Sequence, residues 1–336
     1  MKYHELYLYG VRQLEEAGIA EAKLDARLLL EYVCGTDRNT LLAHPELLVE
    51  EEQEKSYVNC IKSRMERIPL QHITGIQEFM GLEFYVNQDV LIPRQDTEIL
   101  VEEVMLHVHD GMSILDVCTG SGCILISLLQ YSNDCGGIGI DLSKKALETA
   151  KRNAEEILGR KDMRVLMENA FPIQNEIHFL QGDLLKPLNA VRMSEDKAQN
   201  GAKEKDAGET GPERSDAEKN ALEVKDVPEA ENKFDIIVSN PPYIPTKMIP
   251  TLEPEVAKHE PLTALDGGED GLYFYREIIG EAKKYLTRGG MLFFEIGYDQ
   301  GEAVSRLLED AGYVDIEIKK DYAGLDRVVF GTFLED

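Results

Sequence analysis

The chain has 336 residues, 43% of them hydrophobic, enough for a full core and for two domains or one domain with attachments. Its formal net charge of −27 opposes nucleic-acid phosphate, and no basic run gathers positive charge locally. No apolar run is long enough to span a membrane, Met1-Lys2-Tyr3-His4-Glu5 lacks a signal peptide's apolar stretch, and the five cysteines include no C-x-x-C pair. A disulfide framework and a structural zinc site are therefore not expected, and reduced thiols in the cytoplasm are. A small molecule, a protein or a basic partner remains.

Residues 1–75 read as a small helical domain. Leu24–Val33 has helical periodicity with Gly35 placed to end it, and Glu50–Arg67 is a second helix stopped before Pro69. Phe79–Val86 is rich in strand formers around Gly81, which predicts a hairpin in a linker over 76–90. Asp96 is placed to cap a helix beginning at Thr97. Arg94 then lies at the helix mouth, either closing a ligand site or held in an ion pair.

From residue 112 strands and helices alternate. Strands are predicted at Ser113–Val117, Gly136–Ile140, Ile177–Leu180, Phe234–Val238, Gly290–Ile296, Val314–Ile318 and Arg327–Phe333. Helices are predicted at Cys123–Gln130, Ser143–Glu156, Tyr273–Leu286 and Glu302–Ala311. The pattern is that of a doubly wound α/β domain with an antiparallel end. One stretch, 194–232, breaks it: it has no aromatics, 12 acidic residues and 6 basic ones. Such a segment buries too little apolar surface to offset its ordering entropy and reads as a disordered acidic insertion. A shorter stretch near Met163–Asn175 also reads as inserted.

Two places carry chemistry. Asp116-Val117-Cys118-Thr119-Gly120-Ser121-Gly122 closes a strand and opens a helix, and its glycines let backbone approach a ligand at a helix N-terminus. Asp141, at the end of the next strand, is placed to accept two ribose hydroxyls. The third glycine of a dinucleotide fingerprint would fall at Leu125, so no pyrophosphate signature is present. An adenosine bearing a cationic sulfonium and an amino-acid tail suits the loop better. Asp116 would meet the positive end of that tail, directly or through water, and Asp183 the adenine amino group, with Leu184 beside the ring. Asp141 and Asp183 also fit as ordinary strand-end turn residues. Cys118 and Cys123 read as small buried residues.

The second place is Ser239-Asn240-Pro241-Pro242-Tyr243. Two prolines cannot continue the preceding strand, because neither has a backbone N–H to donate. The chain leaves the sheet at Asn240 with a side-chain amide, carbonyls lacking ladder partners and an aromatic ring close together. A planar –NH2 could donate to the Asn240 side-chain oxygen and the Pro241 carbonyl, with Pro242 shaping the wall and Tyr243 against its face. The histidines offer no obvious base. Asp266–Gly271 reads first as an acidic, turn-rich loop.

These stretches, with Ile68–Gly75, Leu91–Glu98, Glu260-Pro261, Ala264–Gly268, Asp270–Leu272, Tyr275-Arg276, Glu295–Gly297 and Gly324–Val329, resemble class I S-adenosylmethionine-dependent methyltransferases. Within these they resemble the release-factor glutamine methyltransferase family. Gln95 stands where that family usually has proline and Cys118 where it often has glycine.

The resemblance implies a Rossmann-like α/β fold with a doubly wound, seven-stranded mixed sheet in a methyltransferase domain over 91–336, preceded by a substrate-recognition domain over 1–75. It implies methyl transfer from S-adenosyl-L-methionine, leaving S-adenosyl-L-homocysteine and using no metal, to the glutamine amide of the Gly-Gly-Gln motif of class-1 peptide chain release factors. Asn240, Pro241, Pro242 and Tyr243 would be the catalytic and substrate-binding residues, with Arg94. Asp116, Cys118, Thr119, Gly120, Ser121, Gly122, Asp141, Asp183, Leu184 and Asn240 would line the cofactor site. A cytoplasmic monomer without direct nucleic-acid binding is expected. The alternatives are an adenine-N6 DNA methyltransferase, which would need a basic groove and base flipping, a methyltransferase of another protein or of a small molecule, and a catalytically silent cofactor-binding or assembly protein.

Overall fold

The computed structural model describes residues 1–159, 176–188 and 233–334. The expected insertions at 163–175 and 194–232 lie outside the described residues. Chain contacts divide the protein into two units, Met1–Arg94 with Pro242–Gly271, and Gln95–Pro241 with Leu272–Asp336.

The first unit opens with helices α1 (Tyr3–Glu16), α2 (Ala22–Cys34), α3 (Arg38–Ala43), α4 (Glu51–Met65) and α5 (Leu70–Thr74). Gly35 ends α2 in the left-handed conformation, as the sequence predicts. Leu6, Leu14, Ala26, Leu29, Leu30, Tyr57 and Ile61 form its buried core. The Tyr57 hydroxyl donates to the Ala26 carbonyl at 3.0 Å. Strands β1 (Ile76–Phe79) and β2 (Leu82–Tyr85) form the predicted hairpin, turning through Met80 and Gly81, both at positive φ. Phe79 and Phe84 meet edge to face on it, with ring centroids 5.9 Å apart.

The second unit begins with α6 (Gln95–Met105). This helix starts two residues before the predicted Thr97, so Asp96 is not its cap. Asp96 lies in the first turn and pairs with Arg327 at 3.1 Å. There follow β3 (Ser113–Val117), α7 (Cys123–Tyr131), β4 (Gly136–Asp141), α8 (Lys144–Leu158), β5 (Ile177–Gln181) and β6 (Phe234–Ser239). Ser143 caps α8 by accepting the Ala146 N–H.

The chain then passes through the first unit, where 3-10 turns at Thr246–Thr251 and Leu262–Ala264 flank α9 (Pro254–His259). Arg64, buried on α4, joins this segment to the helices: it pairs with Asp25 at 2.7 Å and with Glu255 at 2.9 Å. Back in the second unit come α10 (Tyr273–Ala282), β7 (Leu286–Glu295), α11 (Gly301–Asp310), β8 (Val314–Lys320) and β9 (Asp326–Thr332). Helix α10 ends four residues before the predicted Leu286, which instead pairs with Phe234 as the first residue of an irregular β7.

The sheet has seven strands in the order β5-β4-β3-β6-β7-β9-β8, parallel from β5 to β7, with β9 antiparallel to both β7 and β8. This is the doubly wound, mixed α/β sheet the sequence predicts. Ile114, Leu115, Val117, Ile236, Ile237, Val238, Leu292 and Phe293 are fully or almost fully buried, as parallel strands covered on both faces require. No described helix is long and apolar enough to cross a membrane.

Candidate active site

The order of strands decides where a ligand can sit. The chain winds outward from β3 through β4 on one side and through β6 on the other, so a crevice is expected at the carboxyl ends of β3 and β6. Their register sets Val117 opposite Ser239, and the Ser239 hydroxyl donates to the Val117 carbonyl at 2.6 Å. The Cys118–Gly122 loop and Asn240 therefore leave the sheet from neighbouring strands at the same level.

Cys118, Gly120 and Gly122 turn the loop with φ of 64°, 57° and 81°. The left-handed region costs a non-glycine residue about 1–2 kcal/mol, which explains why glycine suits the place of Cys118. Three contacts pin the loop. The Thr119 N–H donates to the Ile140 carbonyl at 2.9 Å, the Gly120 N–H to Asp141 Oδ2 at 2.9 Å, and Asn153 Nδ2 to the Ser121 carbonyl at 2.9 Å. A Cβ added at Gly120 would meet no atom of the described residues within 4 Å, so among them the loop has an open side there. Gly122 stands at the N-cap of α7 and has no side chain to cap it.

Asp116 is fully buried beneath this loop. Its Oδ2 accepts the Thr119 hydroxyl at 2.6 Å, while Oδ1 has no hydrogen-bond partner among the described residues. Burial pushes its carboxyl up to about 7, against the pull of the Thr119 hydroxyl and the Leu125 N–H. With no exposed surface, Asp116 has the indirect route to a ligand, through Thr119 or water. Asp141 gives one oxygen to the Gly120 N–H and the other to the Ser143 N–H at 2.8 Å. It thus builds the turn and keeps one acceptor site on each oxygen. Burial raises its carboxyl, and the two N–H groups oppose that. Asp183 is half-exposed and paired with Lys186. Leu184, half-buried, takes a left-handed φ of 52°.

Asn240 is half-buried, and its Nδ2 donates to Thr97 Oγ1 on α6 at 3.2 Å. With the amide nitrogen engaged, Oδ1 is the acceptor left for a ligand. Pro241, next to it, is buried.

Pro242 and Tyr243 open the returning segment of the first unit. There Ile244 is clamped by Leu265 and Gly267: its N–H donates to the Leu265 carbonyl at 3.0 Å, and its carbonyl accepts the Gly267 N–H at 2.9 Å. Thr246 Oγ1 donates to Asp266 Oδ1 at 2.7 Å. A Cβ at Gly267 would lie 2.7 Å from Tyr243 Cα and 2.9 Å from the Pro242 carbonyl oxygen. The Asp266–Gly271 loop is thus the backing of this part of the motif. Arg94 is in an ion pair with Glu260, whose side chain is 1% exposed. Burial raises the Glu260 carboxyl and the Arg94 guanidinium opposes that.

The sequence reading assigned no role to Thr97, Asn153 or Gly267. Asn153 had a visible signal: it is polar on the buried stripe Ala146, Leu147, Ala150, Ala154 of α8. Thr97 and Gly267 lie within the motif stretches, but only the fold shows what they touch.

Residues 5–75 match a family model described as the PrmC N-terminal domain, and residues 137–294 match one described as Eco57I restriction-modification methylase. The chain is 37% identical to a release factor glutamine methyltransferase of Clostridium acetobutylicum, over 99% of each chain. It is 35% identical to one of Caulobacter vibrioides, over 95% of this chain and 92% of that one. It is also similar to the solved protein-(glutamine-N5) methyltransferase, release factor-specific, of Alicyclobacillus acidocaldarius. That likeness is 24% in sequence, with a TM-score of 0.37, over 75% of this chain and 100% of that one.

Proposed function

Because the chain belongs to the release factor glutamine methyltransferase family, we propose that it methylates the side-chain amide nitrogen of the Gly-Gly-Gln glutamine of class-1 peptide chain release factors. The methyl donor in this reading is S-adenosyl-L-methionine. When bound, it supplies an electrophilic methyl group on a sulfonium. The residues present fit such a group: a buried carboxylate oxygen of Asp116 without a partner among the described residues, a loop open at Gly120, and spare acceptor sites on Asp141. Asp116, Cys118, Thr119, Gly120, Ser121 and Gly122 would hold the amino-acid end, Asp141 the ribose, and Asp183 with Leu184 the adenine.

The observation that carries the reading is the orientation of Asn240. An amide nitrogen is a poor nucleophile because its lone pair is delocalised. Asn240 Oδ1 and the Pro241 carbonyl are acceptors for its two N–H groups, and holding both turns the lone pair toward the methyl group. Orientation of this kind is worth up to about 7–11 kcal/mol of barrier. The same oxygens stabilise positive charge growing on the nitrogen. No base is required before attack, and the proton leaves to solvent afterwards. The roles of Pro242, Tyr243 and Arg94 rest on the motif alone. The enzyme acts in this reading as a cytoplasmic monomer with a protein substrate and no direct nucleic-acid contact.

The test is mass spectrometry of purified Clostridium acetobutylicum release factor after incubation with S-adenosylmethionine and either wild type or Asn240→Ala. A methyl group on the Gly-Gly-Gln glutamine with wild type, reduced at least about a hundredfold in the variant, is the expected result. No methylation by a wild type that binds the cofactor would overturn the substrate. Methylated adenine in a parallel DNA incubation would replace it with the base amine, which the same pair of acceptors suits and which the likeness of residues 137–294 to a restriction-modification methylase favours.

A further inference from the structure

We infer that Asn153 is a positioning residue for the methyl donor: its amide holds the Ser121 carbonyl and so keeps the Gly-rich turn closed in the form that presents the Gly120–Ser121 peptide to the ligand. The inference rests on the reading that this loop holds the amino-acid end of S-adenosyl-L-methionine. The turn is closed by the Gly122 N–H, which donates to the Thr119 carbonyl at 2.8 Å. Gly120, its first central residue, has φ of 57°, and Ser121, its second, has a negative φ, the pattern of a type II′ turn.

Taken peptide by peptide, the turn has one place left for a ligand. The Thr119 carbonyl is taken by Gly122 and the Gly120 N–H by Asp141. The Ser121 carbonyl is taken by Asn153 Nδ2 at 2.9 Å. Among the described residues, the Gly120 carbonyl and the Ser121 N–H have no partner. The peptide between Ser121 and Gly122 is therefore gripped at both of its polar groups. Its carbonyl and its N–H lie in one plane and turn together. Ser121 is 2% exposed, so a carbonyl released by Asn153 would be left without water and would have to rotate to find a donor. That rotation takes the Gly122 N–H away from Thr119 and opens the turn.

Asn153 can serve here in only one way. A carbonyl oxygen only accepts, so the half of the amide that faces it is the Nδ2 donor. The side chain is fully buried on α8, where a polar group is costly unless it is bonded. The helix is also seated against the loop at other points. Ala150, three residues back on the same face, would lie 3.1 Å from a Cβ at Gly122. Asp141 gives one oxygen to the Gly120 N–H and the other to Ser143, the N-cap of α8. The amide thus reaches Ser121 from a fixed support.

The experiment compares wild type, Asn153→Asp and Asn153→Ala. Aspartate keeps the shape but donates only when protonated; alanine removes the donor at every pH. Calorimetry measures S-adenosylmethionine affinity from about pH 8 to about pH 6, the range into which burial raises such a carboxyl. Each value is taken relative to wild type at the same pH, which removes the titration of Asp116 and Asp141 common to all three. The expected result at about pH 8 is affinity about tenfold weaker in both variants, because only a fraction of the molecules hold the closed turn. Toward about pH 6 the deficit closes in Asn153→Asp and persists in Asn153→Ala. With saturating cofactor, kcat and KM for the Clostridium acetobutylicum release factor stay within about twofold of wild type. In the ligand-free protein at about pH 8, the Gly122 N–H exchanges with solvent about tenfold faster in either variant.

A residue that merely stabilised α8 would lower the melting temperature and leave the affinity of the folded protein alone. If alanine prevents folding, the acid recovery of Asn153→Asp decides by itself. Wild-type affinity in Asn153→Ala, a deficit in Asn153→Asp that does not close, or unchanged exchange at Gly122 would each overturn the inference while binding by wild type stood. No binding of S-adenosylmethionine by folded wild type would remove the reading of the site, and the inference with it.

Discussion

The Asn240 side-chain amide is held at one of its two ends. Its nitrogen lies within hydrogen-bond reach of Thr97 Oγ1, and in the proposed reaction its oxygen accepts from the amine to be methylated. Asp116 shows the opposite use of burial. Enclosure pushes its carboxyl up to about 7, so near neutrality the protein by itself leaves it only partly ionised. Because the folded value lies above the unfolded one, this group's contribution to stability is fully present below about pH 4 and is lost as pH rises through about 7. A cationic ligand reverses the preference, since it attracts only the ionised carboxylate. S-adenosylmethionine affinity is therefore expected to rise between about pH 5 and 7, approaching tenfold per pH unit at the acid end, where the ligand's ammonium stays protonated. Calorimetric titration across that range checks it, with Asp116→Asn weaker and flat. A flat wild-type profile would separate Asp116 from the cofactor's charge.

At the scale of elements, two segments outside the sheet each hold one of the candidate loops. Helix α8 reaches the Gly-rich loop through Asn153, and the 264–268 loop backs Pro242 and Tyr243 through Gly267. A methyl group at Gly267 would sit 2.7 Å from Tyr243 Cα, against backbone that cannot move aside as a flexible side chain would. Overpacking of this kind costs about 1–3 kcal/mol or displaces the neighbour. Gly267→Ala is expected to slow methyl transfer about tenfold while cofactor affinity stays within about twofold, since the cofactor loop belongs to the other unit. Single-turnover kinetics beside a cofactor titration would decide, and a full-rate variant would show that the motif tolerates the shift.

For the whole molecule the dominant quantity is charge. A net −27 spread over the chain sets up a field that attracts a basic partner and repels an acidic one. Encounter with a basic release-factor surface should weaken as salt shortens the Debye length from about 14 Å at 0.05 M to about 6 Å at 0.3 M. The expected outcome is a fall of several-fold in kcat/KM for the release factor over that range, carried by KM, with kcat nearly constant. Steady-state kinetics at graded sodium chloride tests this, and a kcat/KM that rises with salt would mean that the surfaces repel.

Much of this was legible in the sequence, and for a physical reason. Burial on both faces makes the parallel strands continuous apolar runs, so Ser113–Val117 was placed to the residue and Phe234–Val238 within one. Glycine and proline chemistry marked the loop at Gly120 and Gly122 and the exit of the chain at Pro241. Periodicity was a poorer guide at helix ends, where tertiary contacts compete: α6 begins early because Asp96 answers Arg327 rather than capping, and α10 stops short because Leu286 has a strand partner. The amino-acid sequence by itself therefore determined the class of fold and the places where the Gly-rich loop and the proline pair leave the sheet. Only the tertiary structure decided which neighbours hold them. Thr97 is 143 residues from Asn240, Asn153 is 32 from Ser121, and Gly267 meets Tyr243 through a bridge between distant turns. Contacts between residues so far apart in the chain leave no local pattern of spacing or hydropathy to read.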